Sequence, residues 1–364
     1  MSSKLLFASY APKNLEPVNS IGAKWNRLLD ALNLAECVDG KRTCIKMHLG
    51  GGHGFSTIHP FFVRRLVAKI KAAGAKSVFI TDSASAVANA VERGYTTETM
   101  GCQLIPESGL TDQYYEARPV NSPFESLKEV EIGGEILAAE ALIDLSHVKG
   151  HGACGFGGAS KNLSMGCVTR RTRTILHALE GGLDWNNEAC TLCKKCEENC
   201  PSEAISFENN EFEVNYHNCK FCQHCVLICP TKSIKMRGGG YRDFQQGMAL
   251  TTNAVLENFA PQHRLFINMI MNVTIFCDCW GMTTPNLVPD VGILAGRDIV
   301  AIEQASLDLV KTENLIPGSL PPGITLSRRG HLFERIHGKD PFAVVEFLEQ
   351  LGLGSRKYLL DEID

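Results

Sequence analysis

Eight of the 15 cysteines in this 364-residue chain fall in one stretch, as two copies of a single motif. The first copy, CTLCKKCEENCP, begins at Cys190, and the second, CKFCQHCVLICP, begins at Cys219. Both follow the pattern C-x2-C-x2-C-x3-C-P, in which closely spaced thiolates hold iron–sulfur clusters. Structural zinc sites prefer two pairs of C-x2-C, and disulfides require an oxidising compartment, so neither alternative explains the pattern as well. The spacing therefore predicts two 4Fe–4S clusters.

The two copies together resemble a bacterial-type two-cluster ferredoxin domain. In that arrangement the fourth cysteine of each copy ligates the other cluster. The resemblance therefore implies that each cluster takes three ligands from one copy and one from the other: Cys190, Cys193, Cys196 and Cys229 for the first cluster, and Cys219, Cys222, Cys225 and Cys200 for the second.

A second segment with the residue types of a reacting site is SHVKGHGACGFGGASKNLSMG, residues 146–166, which follows the apolar run ALIDL. Glycines after a strand allow backbone N–H groups to approach a ligand, and the N-terminus of a following helix favours an anion. Lysines would add positive charge, and a histidine can carry a proton. A flexible loop with solvated lysines is the alternative. We interpret three residues as candidate catalytic groups and three as candidate cofactor-binding residues, respectively Lys149, His151 and Lys161, and Gly157, Gly158 and Asn162.

A pair of cysteines, Cys277 and Cys279, lies in the sequence CDCW at the end of an apolar run. Side chains two residues apart on an extended backbone point to the same side, so the pair could ligate one further metal or form a redox pair. Asp278 between them would then point the other way. The alternative is that both are buried free thiols that pack as small apolar residues.

Three histidines follow another apolar run, in the sequence MHLGGGHGFSTIHP. His48, His53 and His59 could bind a metal together, although a histidine in a glycine-rich loop more often serves as a hydrogen-bonding group. The basic run RRTR at residues 170–173 is either a solvated face or a site that recognises a carboxylate or a phosphate.

The elements that must position these residues alternate between strand and helix. A strand over Cys44–Leu49, a helix over Pro60–Ala73 and a strand over Ser77–Ile80 predict two parallel strands joined by a right-handed crossover. Later patterns predict three more strands and a helix, at Ala141–Val148, Ile275–Cys277, Val291–Leu294 and Ile299–Val310. Ligands bind beyond the carboxyl ends of parallel strands, so we expect four loops to lie along one edge of the sheet, near His48, Asp82, Lys149 and Cys279.

The helix and strand patterns stop at the cysteine motifs and resume after them. The sequence therefore predicts an α/β protein: a discontinuous, mostly parallel-sheet domain with an inserted ferredoxin-like α+β iron–sulfur domain. We place the first part of the α/β domain at residues 1–182, the two-cluster domain at 183–237 and the second part of the α/β domain at 238–316. A C-terminal helical tail follows over 317–364, with an amphipathic helix at Pro341–Leu351.

Composition excludes several classes of protein. The net charge is −4 and 44% of the residues are hydrophobic, so the chain is neither disordered nor suited to bind nucleic acid or an anionic membrane by bulk charge. No run of about 18 apolar residues predicts a membrane span, and the start of the chain lacks the apolar core of a signal peptide. Clustered cysteines favour a thiol-reducing setting. We therefore expect a cytoplasmic protein whose partner is a redox protein or a small-molecule substrate.

Several of these segments together resemble the domain-of-unknown-function family 362. They are CIKMHLGGG, GAKSVFITDSA, HVKGHGACGFGGASKNLSMG, CDCW and PDVGILAGRDIVAIEQASLDLV, which lie between about residue 40 and residue 312. Members of that family often carry a 4Fe–4S ferredoxin domain. The resemblance implies an α/β domain and an iron–sulfur redox protein, but it implies no substrate and no catalytic residues.

Three functions are compatible with these features. In the first, the protein is an oxidoreductase in which the clusters pass single electrons to or from a site in the α/β domain. In the second, it is an electron-transfer subunit without a catalytic site of its own. In the third, it is a metal or cofactor assembly factor that handles metal with Cys277 and Cys279. The glycine, lysine and histidine segment favours the first, and a bound flavin or additional metal remains open because no flavin or nicotinamide motif is present.

Overall fold

A computed structural model describes residues 2–201, 203–214, 219, 223–238, 240–321, 326–327 and 329–363. The strands, in chain order, are β1 (Ser3–Ser9), β2 (Arg42–Met47), β3 (Ser77–Asp82), β4 (Gln103–Pro106), β5 (Tyr115–Pro119), β6 (Glu129–Gly133), β7 (Ala141–His147), β8 (Lys149–His151), β9 (Gly155–Gly157), β10 (Gly181–Trp185), β11 (Ile205–Glu208), β12 (Glu211–Val214), β13 (Ile234–Gly238), β14 (Arg264–Ile270), β15 (Gly292–Gly296) and β16 (Tyr358–Glu362). The helices are α1 (Ile21–Ala31), α2 (Leu34–Val38), α3 (Pro60–Ala72), α4 (Ala84–Ala88), α5 (Thr97–Met100), α6 (Gly134–Leu137), α7 (Ala159–Gly166), α8 (Arg170–Ala178), α9 (Lys195–Glu198), α10 (His224–Ile228), α11 (Tyr241–Leu256), α12 (Ile299–Leu309), α13 (Leu332–His337) and α14 (Ala343–Gln350).

The main sheet has eight strands in the order β16-β1-β15-β14-β7-β2-β3-β4. Strands β14, β7, β2, β3 and β4 run parallel to one another, and β16 runs parallel to β1. Strand β15 is antiparallel to both of its neighbours, β1 and β14. The predicted α/β class is therefore confirmed, with a mixed sheet in which most strands share one direction.

Helices cover both faces of the main sheet. On one face, Trp25 of α1 and Phe62 of α3 belong to the same buried cluster as Ile143 of β7. On the other face, Phe244 of α11 belongs to the cluster of Leu142. Because Leu142 and Ile143 are consecutive in a strand, their side chains point to opposite faces. A sheet buried on both faces explains why its central strands are continuous apolar runs in the sequence.

The cysteine-rich segment, residues 186–233, is attached to the rest of the chain by an antiparallel pair of strands. Strand β10 pairs with β13, and just beyond that pair the Asn186 N–H donates to the Ser233 carbonyl oxygen at 2.8 Å. Inside the segment, β11 pairs with β12. Helices α9 and α10 each follow a residue in the left-handed region, Lys194 with φ 55° and Gln223 with φ 65°. The two copies of the motif thus share this local backbone feature.

One predicted strand is wrong. Ile275–Cys277 lies in the loop after β14, and the strand is the earlier stretch Arg264–Ile270. Both stretches are apolar, but Arg264–Ile270 forms ladders with β7 on one side and β15 on the other, which satisfies its backbone groups. The C-terminal residues also differ from a purely helical tail, because β16 adds a strand beside β1. Among the described residues, no helix is both long enough and apolar enough to cross a membrane.

Candidate functional site

Many of the predicted site residues line one cavity of about 440 Å³. The cavity lies beyond the carboxyl ends of β2, β3 and β7, where His48, Asp82 and Lys149 line it, as expected for parallel strands. Its volume is within the range of small-molecule sites. Helices α7 and α8 and the loop after β14 complete the wall with Lys161, Asn162, Arg170, Arg173, His177, Cys277, Cys279 and Trp280.

The structure separates the predicted catalytic residues from two of the predicted cofactor-binding residues. Lys149, His151 and Lys161 all line the cavity, together with Asn162. Gly157 and Gly158 lie at the end of β9 and before α7, are buried, and are not among the described residues that line the cavity. The cysteines predicted as a possible extra metal site, Cys277 and Cys279, face Lys161 across the cavity floor.

Lys161 lies between the two thiols of the CDCW loop. Its Nζ is 3.6 Å from Cys277 Sγ and 3.6 Å from Cys279 Sγ. Burial opposes the charge on Lys161, but negative charge on the sulfurs outweighs it and raises the Lys161 pKa. Burial would likewise raise the pKa of Cys277, yet the hydrogen bond from Cys279 and the charge of Lys161 hold that pKa well below its usual range. The three groups therefore form a buried ammonium–thiolate pair with a second thiol beside it.

His151 presents a proton to the same thiols. Its Nδ1 accepts a hydrogen bond from the Ala153 N–H at 3.1 Å, and its Nε2 is 3.8 Å from Cys279 Sγ. Burial, together with nearby positive charge such as that of Lys161, lowers the pKa of His151 well below its usual value, so the ring is neutral. Because Nδ1 accepts, the single ring proton must be on Nε2. His151 is therefore placed to donate a hydrogen bond to Cys279 or to a group bound beside it.

The same three side chains could be considered as metal ligands, because the ligand atoms of His151, Cys277 and Cys279 lie within 4.8 Å of one another. Two contacts oppose that use. A metal can bind His151 Nε2 only if the ring proton moves to Nδ1. Nδ1 cannot carry that proton while it accepts a hydrogen bond from the Ala153 N–H. In addition, the Lys161 ammonium already supplies the positive charge beside both sulfurs.

The extended backbone expected for CDCW is wrong, because Asp278–Trp280 forms a 3-10 turn, but the Asp278 carboxylate still bonds to groups other than the two flanking thiols. Its Oδ2 is 2.9 Å from His147 Nδ1, and its Oδ1 accepts from the Ser56 hydroxyl at 2.6 Å. The second ring nitrogen of His147 lies 3.0 Å from the Asn272 carbonyl oxygen, which can only accept. Both ring nitrogens of His147 therefore donate, and the ring is an imidazolium paired with a buried carboxylate. This ion pair fixes the CDCW loop beneath the cavity.

A second carboxylate–histidine pair lies in the wall. Asp82 accepts hydrogen bonds from Lys46 at 3.1 Å and from His48 Nδ1 at 2.9 Å. Burial would raise the Asp82 pKa, but Lys46 and His48 have the larger effect and lower it. The Nε2 atom of His48 has no hydrogen-bond partner among the described residues. The three histidines considered as a metal site do not form a ligand group among the described residues. His48 lines the cavity, His53 is exposed, and His59 Nδ1 accepts from the Phe61 N–H in the first turn of α3.

Asn162 is already occupied by contacts within the protein. Its Oδ1 accepts from Lys46 Nζ at 2.8 Å, and its Nδ2 donates to Asp144 Oδ1 at 2.8 Å and to the Lys46 carbonyl oxygen at 3.0 Å. The amide therefore positions the buried Lys46 side chain beside Asp82. A direct contact between Asn162 and a cofactor would have to replace one of these bonds.

The N-terminus of α7 holds a carboxylate from the protein itself. Glu303 accepts from the Ala159 N–H at 2.7 Å and from the Ser160 N–H at 3.3 Å. A Cβ atom on Gly158 would lie 2.3 Å from Glu303 Oε1, so glycine is needed for this approach. The expectation that the glycine segment presents a helix N-terminus to an external anion is corrected accordingly, because the anion there is Glu303. Burial raises the Glu303 pKa to about 7.

We expect Glu303→Gln to change how stability depends on pH. The Glu303 pKa is about 7 in the folded protein against an ordinary value of 4.5, so the protonated form favours folding. This contribution is complete below about pH 4.5 and is lost as pH rises through about 7. Between pH 5 and pH 8 the Tm of the wild type should therefore fall several degrees more than that of the variant, as measured by thermal denaturation. Glu313→Gln, at an exposed position, should follow the wild type, and parallel curves for all three proteins would contradict the assignment.

Of the basic run, two residues line the cavity and one does not. Arg170 and Arg173 are in the wall. The Arg173 guanidinium is paired with Glu107 at 3.1 Å. Arg171 instead lies on the outer side of α8 and forms an ion pair with Glu131. Arg171 therefore lies on a solvated face, whereas recognition of an anion by Arg170 or Arg173 stays a prediction.

Four cysteines of the cysteine-rich segment line a second, much smaller cavity: Cys190, Cys193, Cys196 and Cys229. Backbone N–H groups point at cysteine sulfurs, from Ala204 to Cys200 at 3.2 Å and from Ser233 to Cys229 at 3.3 Å. Burial would raise the pKa of Cys229, but hydrogen bonds from Ser233 and Thr231 lower it to about 7. Of the other predicted ligands, Cys225 is buried, Cys200 and Cys219 are half-buried, and Cys222 lies outside the described residues. Cys219 also lines the main cavity.

Sequence reasoning missed several members of the site. Lys46 and Glu303 are charged residues inside otherwise apolar elements, CIKM and IVAIEQASL, and that inconsistency is a usable signal of a buried polar network. Trp280 lines the cavity and stacks on Phe276 with ring centroids 4.4 Å apart, but in the sequence it is only the last residue of CDCW. The pairing of Asp278 with His147 has no local signal, because the two residues are 131 positions apart.

A family model described as "Domain of unknown function (DUF362)" matches residues 43–308. No curated protein matches the chain. Among solved structures, a protein from Thermotoga maritima is similar with a TM-score of 0.39 at 9% identity, over 71% of this chain and 52% of that one. The lactate racemase apoprotein from Thermoanaerobacterium thermosaccharolyticum is similar with a TM-score of 0.32 at 13% identity, over 74% of this chain and 51% of that one. The chain thus spans about half the length of these two proteins, and the site has to be interpreted from its own geometry.

Proposed function

The chain belongs to the family described as domain of unknown function 362, whose model spans most of it, and we propose that it is an iron–sulfur oxidoreductase that reacts in the cavity around Cys277 and Cys279. One observation carries the proposal. Cys219, a predicted ligand of the second cluster, lines the same cavity as Lys161, Cys277 and Cys279. A cluster ligand and a set of proton- and charge-bearing side chains at one cavity are the two parts that a redox active site requires.

The described cysteines fit the predicted clusters. The four that line the small cavity are the set implied for the first cluster, including Cys229 from the second copy. The N–H groups of Ala204 and Ser233, which approach the sulfurs of Cys200 and Cys229, are the kind of donor that tunes an iron–sulfur site. Cys219, Cys222, Cys225 and Cys200 would hold the second cluster. Such clusters, when bound, supply and accept single electrons.

Side chains of the cavity would supply the charge stabilisation, the hydrogen bond and the orientation that the reaction needs. Lys161 stabilises negative charge on the sulfurs of Cys277 and Cys279, each 3.6 Å from its Nζ. His151 holds a proton at Nε2, 3.8 Å from Cys279 Sγ. The buried pair of His147 and Asp278 keeps the loop in place, so the thiols are oriented before a substrate arrives.

A plain electron carrier explains the site less well. A carrier needs a docking surface and a cluster near it, but it does not need a cavity of about 440 Å³ that gathers Lys149, His151 and Lys161. The spacing of His151, Cys277 and Cys279 favours the assembly-factor alternative, since their ligand atoms lie within 4.8 Å of one another. The tautomer of His151 and the position of Lys161 both weigh against it.

The proposal is tested by metal analysis of anaerobically purified protein and two double variants. We expect about eight irons and eight sulfides in the wild type, and no stoichiometric zinc. If each fourth cysteine ligates the other cluster, Cys190→Ala with Cys229→Ala removes two ligands of one cluster and leaves about four irons with a complete ligand set. Cys190→Ala with Cys200→Ala removes one ligand from each cluster and should retain less iron.

Two outcomes would contradict the proposal or its ligand sets. Stoichiometric zinc in place of iron in the wild type would remove the basis for an iron–sulfur enzyme. The reverse order of iron retention in the two double variants would instead mean that each copy ligates its own cluster. Cys102→Ala serves as the control, because Cys102 is a buried cysteine outside both motifs and should leave the iron content unchanged.

A further inference from the structure

We propose that Cys277 and Cys279 are a redox-active dithiol that reduces small disulfides carrying negative charge. The inference deepens the proposed function, on which it rests for the reductant in repeated turnover. A single round needs no other reductant, because the two thiols themselves supply both electrons. Three features of the site support this role: the geometry of the cysteine pair, the hydrogen-bond donor of His151 and the charge of the cavity wall.

The two sulfurs are arranged for one to follow the other in reaction. Their Sγ atoms lie within 4.8 Å of each other, and both line the cavity. Cys279 is half-buried, whereas Cys277 is fully buried. The 3-10 turn that begins at Asp278 shortens the backbone between the two cysteines, and this favours the Cα–Cα separation of about 4.4 to 6.8 Å that a disulfide bridges. Cys279 is therefore positioned to meet a substrate first, and Cys277 to resolve the mixed disulfide.

Lys161 serves either sulfur equally. Its Nζ is 3.6 Å from each Sγ, so negative charge can move from one sulfur to the other without loss of the ion pair. A thiolate, and not a thiol, is the attacking species in disulfide exchange. The positive charge of Lys161 also repels a metal cation at this position. The two cysteines are therefore better suited to act as a redox pair than as metal ligands.

The wall of the cavity selects for negative charge. Asp82 is the single carboxylate among the described residues that line it, and Lys46 and His48 neutralise it. No described salt bridge includes Lys149 or Arg170, which both line the cavity. The excess of positive charge favours a substrate with carboxylate or similar groups.

The proposed reaction balances within the protein and its substrate. The Cys279 thiolate attacks one sulfur of the substrate disulfide R–S–S–R, a protein–substrate disulfide forms, and the leaving RS⁻ takes the thiol proton that Cys277 carries at that stage. His151 keeps its proton and donates a hydrogen bond from Nε2 to sulfur. The Cys277 thiolate, paired with Lys161, then attacks Cys279 Sγ, the protein disulfide forms, and the second half of the substrate leaves as RS⁻. The substrate disulfide gains two electrons and the dithiol loses two.

The test compares two small disulfides of similar size and opposite charge. Prereduced, desalted holoprotein is mixed anaerobically with 3,3′-dithiodipropionate, which is a dianion, or with cystamine, which is a dication. Tryptic peptide 265–297 contains Cys277 and Cys279 and no other cysteine, so a peptide mass lower by two hydrogens reports the internal disulfide. We expect the dianion to react at least about tenfold faster at low ionic strength, with a ratio that falls as salt is added.

Matched variants separate the steps. Cys277→Ser should stop at the mixed disulfide on Cys279 and release one thiol per chain. Arg170→Ala should reduce the advantage of the dianion, because it removes a cationic group of the wall. Cys102→Ala should behave as the wild type.

Three results would overturn the inference: no internal disulfide in peptide 265–297, a faster reaction with cystamine, or protection of both cysteines by a bound metal. Iron analysis of the same sample distinguishes this failure from failure of the proposed function. Eight irons without an internal disulfide contradict only the dithiol, whereas an internal disulfide in protein that binds no iron contradicts only the iron–sulfur enzyme.

Discussion

Replacement of Lys161 by methionine is expected to raise the pH midpoint of Cys277 alkylation. The variant loses the ammonium at 3.6 Å from Cys277 Sγ that, with the Cys279 hydrogen bond, keeps the Cys277 pKa well below its usual range. The thiolate fraction at pH 7 then falls, but a more basic thiolate is also the better nucleophile. The alkylation rate should therefore fall at pH values below the wild-type midpoint and rise at pH values well above the new midpoint, where the thiol is fully ionised in both proteins.

The measurement is the rate of iodoacetamide alkylation between pH 5 and pH 10, with the modified residue located by fragmentation of the 265–297 peptide. Lys149→Met is the matched control, since Lys149 lines the same cavity but its Nζ donates to the His147 carbonyl oxygen at 2.7 Å. We expect this control to raise the midpoint less than Lys161→Met does, because Lys161 acts on Cys277 more strongly than Lys149 does, and we expect Lys161→Arg to recover the low midpoint. An unchanged midpoint in Lys161→Met, with iron content as in the wild type, would show that Lys161 does not stabilise the thiolate.

Asp278→Asn is expected to lower the free energy of unfolding by about 3 kcal/mol, because it leaves the buried His147 imidazolium without its counter-charge. His147 and Asp278 are both almost wholly inaccessible to solvent, with 3% and 0% of their side chains exposed. For a protein of this size the loss corresponds to a decrease in Tm of roughly 4 °C in thermal denaturation. Ser56→Ala removes a hydroxyl that donates to Asp278 and accepts from Thr283, but it leaves the ion pair in place and should cost less, about 1 to 2 kcal/mol.

The pH dependence gives a second readout of the same pair. Burial would raise the Asp278 pKa, but His147 and Lys149 have the larger effect and lower it from its ordinary value of 3.8. The carboxylate therefore stabilises the fold above about pH 4. That contribution is lost as pH falls through the folded pKa, and the difference between wild type and Asp278→Asn should narrow in acid. The double variant His147→Gln with Asp278→Asn should be more stable than Asp278→Asn alone. If it is not, the two residues are not an ion pair.

The parallel half of the main sheet was predictable because its signals are local. Apolar runs that end at His48 and Asp82, with an amphipathic helix between them, specify a strand–helix–strand unit whatever the rest of the chain does. Strand β14 was misplaced because Ile275–Cys277 has the same apolar character as Arg264–Ile270, and only the ladders to β7 and β15 distinguish the two. The pattern of Tyr358–Glu362 gave no indication of a strand, since its side chains are mostly exposed and its pairing with β1 joins opposite ends of the chain.

The candidate site was predictable to the extent that chemistry-bearing residues follow strands. Lys149, His151, Lys161 and the two cysteines of CDCW come to one cavity because β7 and β14 are adjacent and parallel. Spacing alone could not indicate that Glu303, 144 positions from Ala159, occupies the N-terminus of α7. It also could not assign the proton of His151, which depends on a backbone N–H two residues later.

The attachment of residues 186–233 has a consequence for the history of the chain. The segment departs at Asn186 and returns at Ser233, whose backbone groups share a hydrogen bond of 2.8 Å. The two ends of the segment are therefore as close together as the ends of a tight turn. The entropy cost of closing a loop grows only slowly with its length. Insertions between such neighbouring ends are well tolerated. A single recombination event could add or remove the segment without changing the strand order of the host, so host and segment are free to have separate ancestries.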